Sequence, residues 1–231
     1  MACILAASSA FPQTARDYLN RVADTYKHLK SFQVESEVER GRADQRRELK
    51  IGVTLYVSPP DKVRIETKDS GNIIRSVLIW NHGSVTEYTP WKREFFSAAG
   101  KISVTFDPDR GTGLGEMMYD TIANGVTKAS IRGKQTLEIG KDKIPCVIVD
   151  AQYGPEKRIT QFSFWIAENG LLLKRAVTFW DGKEFYTLES FVRALTVNEQ
   201  IDDDLFEFHP PPGVRQVPPP TGPAILALRT K

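Results

Sequence analysis

Ile51-Gly-Val-Thr-Leu-Tyr-Val-Ser58 runs into Pro59-Pro60-Asp61 and then Lys62-Val-Arg-Ile65, and this stretch decides the fold class. Ile51, Val53, Leu55 and Val57 alternate with Gly52, Thr54, Tyr56 and Ser58. That two-residue period belongs to a strand with one apolar face. Val63 and Ile65 resume the pattern after the prolines, so the segment reads as two strands joined by a turn.

The same period extends in both directions. Upstream, Phe32, Val34, Ser36 and Val38 alternate with Gln33, Glu35, Glu37 and Glu39. Downstream, short apolar pieces at 73–80, 85–88 and 95–96 are separated by Asp69-Ser-Gly-Asn72, Asn81-His-Gly83 and Thr89-Pro90. Later pieces at 131–139 and 144–149 flank Gly140-Lys-Asp-Lys143, and those at 158–166 and 171–180 flank Glu168-Asn-Gly170. A last long piece, 185–197, follows Asp181-Gly182. Turns this short join antiparallel neighbours. Two segments break the pattern. In 14–31, Tyr18, Leu19, Val22, Tyr26 and Leu29 recur at helical spacing, with Thr14 as cap and Asp17 in the capping-box position. After the glycine-rich loop 107–115, Leu114, Met117, Met118, Thr121 and Ile122 share one helical face that Gly125 terminates. About ten strands in one sheet curl through accumulated twist. The expected fold is therefore mainly β (α+β), with an N-terminal helix and a mid-chain helical lid on the concave face of an incomplete barrel.

With 231 residues, 41% of them apolar, the chain can bury one substantial core. A net charge of +2 gives no electrostatic case for nucleic acid. The small, apolar residues 1–10 read as a signal-peptide remnant, which places the protein outside the cytoplasm. The expected organisation is that remnant at 1–10, one domain at 11–209 and a proline-rich tail at 210–231. Cys146 sits in an apolar strand and reads as a buried core thiol.

Polar chemistry is sparse. Gly111-Thr-Gly-Leu-Gly115 precedes a helix, but its spacing fits neither dinucleotide nor P-loop binding. His28, His82 and His209 lie in no metal or nucleophile frame. Glu35, Glu37 and Glu39 read as a solvated strand face, and Asp202-Asp203-Asp204 as an acidic turn capping the last element. No catalytic residue, metal or cofactor is expected. Met117 and Met118 either fill a core or line an adaptable apolar lid; the flanking Gly113, Gly115 and Gly125 favour the lid.

Several strings resemble a known family: Lys30-Ser-Phe-Gln33, Leu55-Tyr-Val-Ser-Pro-Pro-Asp-Lys-Val-Arg64, Tyr88-Thr-Pro90 and Asp204-Leu-Phe-Glu-Phe-His-Pro-Pro-Pro-Gly213. In this order, over about residues 14–217, they resemble the LolA/LolB-like periplasmic lipoprotein carriers, and more closely the diverged outer-membrane lipoprotein-sorting proteins. The resemblance implies a half-open antiparallel β-barrel of about 10–11 strands with a helical lid over an acyl-binding cavity. It also implies a periplasmic carrier or chaperone for lipid or acylated lipoproteins, acting as a monomer with a membrane-bound donor or acceptor protein. The family's arginine latch falls on Pro59 here, a departure from true lipoprotein transfer. Leu114, Met117, Met118 and Ile122 would line the lid, and Ile51, Val53, Leu55 and Val57 the cavity wall; the opposite strand face, through Tyr56, is the alternative. A regulatory module of an envelope-stress pathway, binding a protein partner, is the second reading of the same fold.

Overall fold

The computed structural model describes residues 13–42, 49–99, 119, 122–153, 160–180 and 185–219. Helix α1 (Ala15–His28) opens on the expected capping box: Thr14 Oγ1 accepts from Asp17 N, and the Asp17 carboxylate accepts from Thr14 N at 2.7 Å. It ends at His28, three residues short of the expected limit, because Leu29 takes an extended conformation.

The rest is strand: β1 (Phe32–Arg42), β2 (Leu49–Ser58), β3 (Lys62–Lys68), β4 (Ile74–Asn81), β5 (Ser84–Thr89), β6 (Glu94–Ala99), β7 (Val126–Ile139), β8 (Asp142–Tyr153), β9 (Thr160–Ala167), β10 (Leu172–Trp180), β11 (Phe185–Val197) and β12 (Arg215–Gln216). They form one sheet in the order β12-β6-β5-β4-β3-β2-β1-β11-β10-β9-β8-β7, open at both ends. Every pairing is antiparallel except the parallel β12–β6 edge. Sequence neighbours pair through short turns. The long-range pairings are β12 on β6 and β1 on β11, the latter running from Phe32↔Val197 to Arg42↔Tyr186. Twelve strands stand where about 10–11 were expected. The extra one is two residues long and comes from the proline-rich segment, whose Arg215 and Val217 amides donate to Arg93 O and Phe95 O.

This mainly β, open sheet with one α-helix among the described residues fits a half-open barrel. The expected mid-chain lid and the 107–115 glycine loop lie outside the described residues, apart from Tyr119 and the turn 122–125.

One apolar cluster fills the concave face. It joins Leu19, Val22 and Tyr26 of α1 to alternate residues of β1–β5 and β7–β11. A second, smaller cluster lies on the opposite face: Leu137, Cys146, Trp165, Ala167 and Leu173. The run 162–167 is apolar almost throughout because β9 is covered on both faces, Phe162, Phe164 and Ile166 facing the first cluster and Trp165 and Ala167 the second. The chain after β11 crosses the convex face. Phe206, 1% exposed, is buried there, and Phe208 meets the rings of Tyr88 and Phe95. Arg64 Nη1 and Asn81 Nδ2 donate to Leu205 O and Phe206 O and hold the segment down.

Candidate functional site

Register puts the predicted wall on the concave face. On β2, Val57, Leu55 and Ile51 oppose Phe32, Val34 and Val38 of β1; on the other side, Val57 and Leu55 oppose Val63 and Ile65 of β3. Val53 and Leu55 are fully buried, and Ile51 and Val57 are partly buried against the same cluster. Tyr56, Thr54 and Gly52 face the other way, with Thr54 opposite Glu66 and Tyr56 opposite Arg64. Ile122 packs on the concave cluster too, so five of the eight predicted positions come together. Leu114, Met117 and Met118 lie outside the described residues.

Helix α1 and the turn before β7 cover the β7–β10 part of this face. Arg16 Nη2 donates to Val126 O (2.7 Å), Arg21 Nη1 to Glu168 O (3.1 Å) and Thr25 Oγ1 to Asn169 O (3.0 Å). The chain returning from β6 is anchored at Tyr119, whose ring stacks on Tyr26 with centroids 3.9 Å apart. Tyr153 Oη donates to Ile122 O at 2.6 Å, and burial pushes its pKa well above the ordinary range, so it remains a hydrogen-bond donor.

The concave face is apolar but not uniformly so, and apart from Ser36, which alternation already set beside Val34 and Val38, sequence reasoning missed its polar members. Ser36, Thr67, Arg175 and Ser190 are all buried there. Thr67 and Ser76 share a 2.6 Å hydrogen bond across β3 and β4, and Arg175 stands opposite Ser190 on β10 and β11. Arg40 lies over the Tyr186 ring at 4.5 Å with its buried Nε unpartnered, and Trp80 Nε1 is likewise unpartnered. Glu87, opposite Leu78 and Phe96, has its pKa raised by burial, against which Lys92 pulls. Strict alternation was the available signal: counted from Val34 and Val38, Arg40 falls on the inward face.

The convex face carries the acidic strand residues, as expected. Burial pulls the Glu37 pKa up, but Lys50 (2.8 Å) and Arg193 (3.0 Å) outweigh it and hold the carboxyl below its usual range. Glu37 and Arg193 border a groove of about 180 Å³ with Glu39, Lys174, Glu189 and Phe191. Cys146 is buried in the second cluster, its thiol pushed up to about 11 by burial. His28 Nδ1 meets Asp24 O at the end of α1, His82 meets Asp61 at 2.7 Å and His209 meets Asp204 at 2.9 Å, the last two exposed. Asp202 caps the 3₁₀ turn Asp203–Phe206 as expected.

No known family matches the chain, and no curated protein matches its sequence. Solved structures do. A conserved protein from Thermus thermophilus is 11% identical, covering 88% of this chain and 98% of its own, with a TM-score of 0.52. The Mycobacterium tuberculosis lipoprotein LppX is 13% identical, covering 81% and 97%, with a TM-score of 0.50. A LolA superfamily protein from Nitrosomonas europaea is 8% identical, covering 85% and 99%, at a TM-score of 0.38, too loose to bear on the site. The chain shares the fold of the first two of these structures, and at these identities the likeness is one of fold alone.

Proposed function

We propose that this protein is a non-covalent carrier or chaperone of the cell envelope that holds lipid, or the acyl chains of lipoproteins, against its concave face. The observation that carries this is the apolar wall of β1–β3, Phe32, Val34, Val38, Ile51, Leu55, Val57, Val63 and Ile65, interrupted by Ser36 and Thr67 and presented on an open sheet. Each acyl methylene placed on such a wall is worth about 0.8 kcal/mol. A long chain therefore offsets a costly opening of whatever covers the wall. The orphan Nε of Arg40 gives an ester or carboxylate oxygen of such a ligand a donor, since an unpartnered buried donor otherwise costs about 1–3 kcal/mol. The likeness in fold to lipoprotein LppX is consistent with an envelope setting. No described helix is long and apolar enough to cross a membrane. Leu114, Met117, Met118 and Ile122 remain the proposed lid, 11–209 the proposed domain, and a membrane-bound donor or acceptor the proposed partner.

Native mass spectrometry of the gently purified full chain, with extraction of whatever is bound, tests the reading. Acyl lipid at about one per chain is expected, and Ile51→Trp or Val57→Trp should lower its occupancy while circular dichroism stays unchanged. A protein that is lipid-free and takes up no fatty acid after delipidation sinks the proposal. Capture of an envelope protein by such a lipid-free chain supports the regulatory module instead.

A further inference from the structure

Two adjacent connections at one end of the half-barrel expose large apolar side chains beside cations. The β3–β4 turn carries Ile73, 59% exposed, and the 3₁₀ turn Pro90–Lys92 between β5 and β6 carries Trp91, 66% exposed. Antiparallel register puts both at the same end, because Lys68 pairs with Ile74 and Thr89 pairs with Glu94. The 3₁₀ turn packs against β4. Phe185, 50% exposed at the start of β11, stands further round the same rim. Three of the four exposed large hydrophobic residues among those described thus share one rim; isolated exposed apolar residues are ordinary, but a cluster is not.

The charges beside them are net positive. Lys68, Arg75, Lys92, Arg93 and Arg215 stand beside Asp69 and Glu94, with Glu87 within electrostatic reach of Lys92, so five cations against three carboxylates leave two positive charges. Arg75 pairs with Asp69 and Arg215 with Glu94. Lys68 and Arg93 have no carboxylate partner among the described residues, and Lys92 acts on the carboxylate of Glu87 only through its field. Lys92 Nζ lies 5.0 Å from the Trp91 ring centre, and Arg93 Nη2 donates to Pro212 O, which fixes the turn against the C-terminal segment. Glu87 lies behind the turn on the concave face, where burial raises its pKa.

We infer that this rim docks on an anionic membrane surface, Trp91 and Ile73 entering the headgroup boundary and Lys68, Lys92 and Arg93 resting on lipid phosphates. Indole rings favour that boundary, and lysine and arginine stems lie along apolar surface while their charges reach the headgroups. Neither term suffices alone: stable association takes a hydrophobic anchor together with a basic patch. Charge complementarity selects lipid over a neutral apolar partner, and a rigid pair of turns on a sheet end suits a flat surface. The inference deepens the carrier reading, since an acyl carrier must meet a bilayer, but it stands on different residues.

The test is co-sedimentation of the full chain with phosphatidylcholine vesicles with and without phosphatidylglycerol, at low and high salt. Binding is expected only to the anionic vesicles and should weaken with salt. Brominated lipid should quench the Trp91 part of the fluorescence, read as the difference from Trp91→Phe. Trp91→Ala should weaken binding about fivefold or more, and Lys92→Gln with Arg93→Gln roughly 25-fold, about fivefold for each cation. Lys134→Gln, on exposed edge strand β7, should leave it unchanged. Absence of binding to anionic vesicles, equal binding to neutral ones, or rim variants that bind like the parent would overturn the inference. So would rim variants that lose only capture of a protein. Acyl occupancy in vesicle-free solution should be normal in the rim variants, so failure here is separable from failure of the carrier reading.

Discussion

The turn between β9 and β10 touches helix α1 at Gly170. Its φ of +82° is open to glycine, and a Cβ there would lie 2.9 Å from Arg21 O and collide with Thr25 Oγ1. Gly83 has nearly the same φ, +80°, with open space around it. Gly83→Ala should therefore cost only the left-handed backbone penalty, about 1–2 kcal/mol. Gly170→Ala should add overpacking of about 1–3 kcal/mol and loosen the α1 contact. Urea midpoints of the two variants measure the difference; equal losses would mean that α1 does not sit tightly on this turn. Glu37 makes a pH-dependent case at the same scale. Its folded-state pKa is depressed, so its contribution is present above the ordinary carboxylate range and lost as pH falls through the folded value. Lys50 and Arg193 are about half exposed, which limits the effect. Glu37→Gln should cost up to about 1 kcal/mol at neutral pH and nothing in acid, compared by urea unfolding at both.

At the scale of elements, the segment after β11 works as a strap. Phe206 is its anchor on the convex face, and β12 ties its far end to β6. Phe206→Ala should cost about 3–5 kcal/mol, as for other buried aromatic rings. It should also speed hydrogen exchange at the Arg215 and Val217 amides, whose partners Arg93 O and Phe95 O belong to the β6 side. Unchanged exchange at those amides would show that β12 holds without the anchor. Helix α1 and the hairpin turns were legible in the sequence because local chemistry specifies them. Thr14 and Asp17 cap the helix by their own side chains, and His82-Gly83 and Gly140 take positive φ where two strands reverse. Strand β12 was not legible, since two residues within a proline-rich run carry no period, and its partner β6 is more than a hundred residues away.

Across the whole molecule, the open sheet and its single concave cluster imply that ligand binding and stability are linked. A ligand that binds only the folded chain adds about 2.7 kcal/mol at a concentration one hundredfold above its Kd. For a domain of this size that should raise Tm by roughly 5–10 °C, read by calorimetry with a long-chain fatty acid against a short-chain one. Equal melting with both would argue against an acyl site on the concave face.

The amino-acid sequence by itself determined most of the elements and which residues of each strand share a face: a side-chain period of two, interrupted by glycine and asparagine turns, needs no distant partner to be read, whereas it left open whether the face of Leu55 or that of Tyr56 turns inward. It also placed Ile51, Val53, Leu55 and Val57 on one face, since alternation alone requires that. Only the tertiary structure decided which elements meet. The closure of β1 on β11 joins residues more than 140 positions apart. The β10–β11 register sets Arg175 opposite Ser190, and the tertiary fold brings Tyr119 onto Tyr26, within an apolar face that local pattern marks as uniform. The rim that gathers Ile73, Trp91 and the cations beside them likewise exists only once the register of β3–β6 is set. Local propensity acts over a few residues, whereas sheet closure is selected by how much apolar surface the entire chain buries at once.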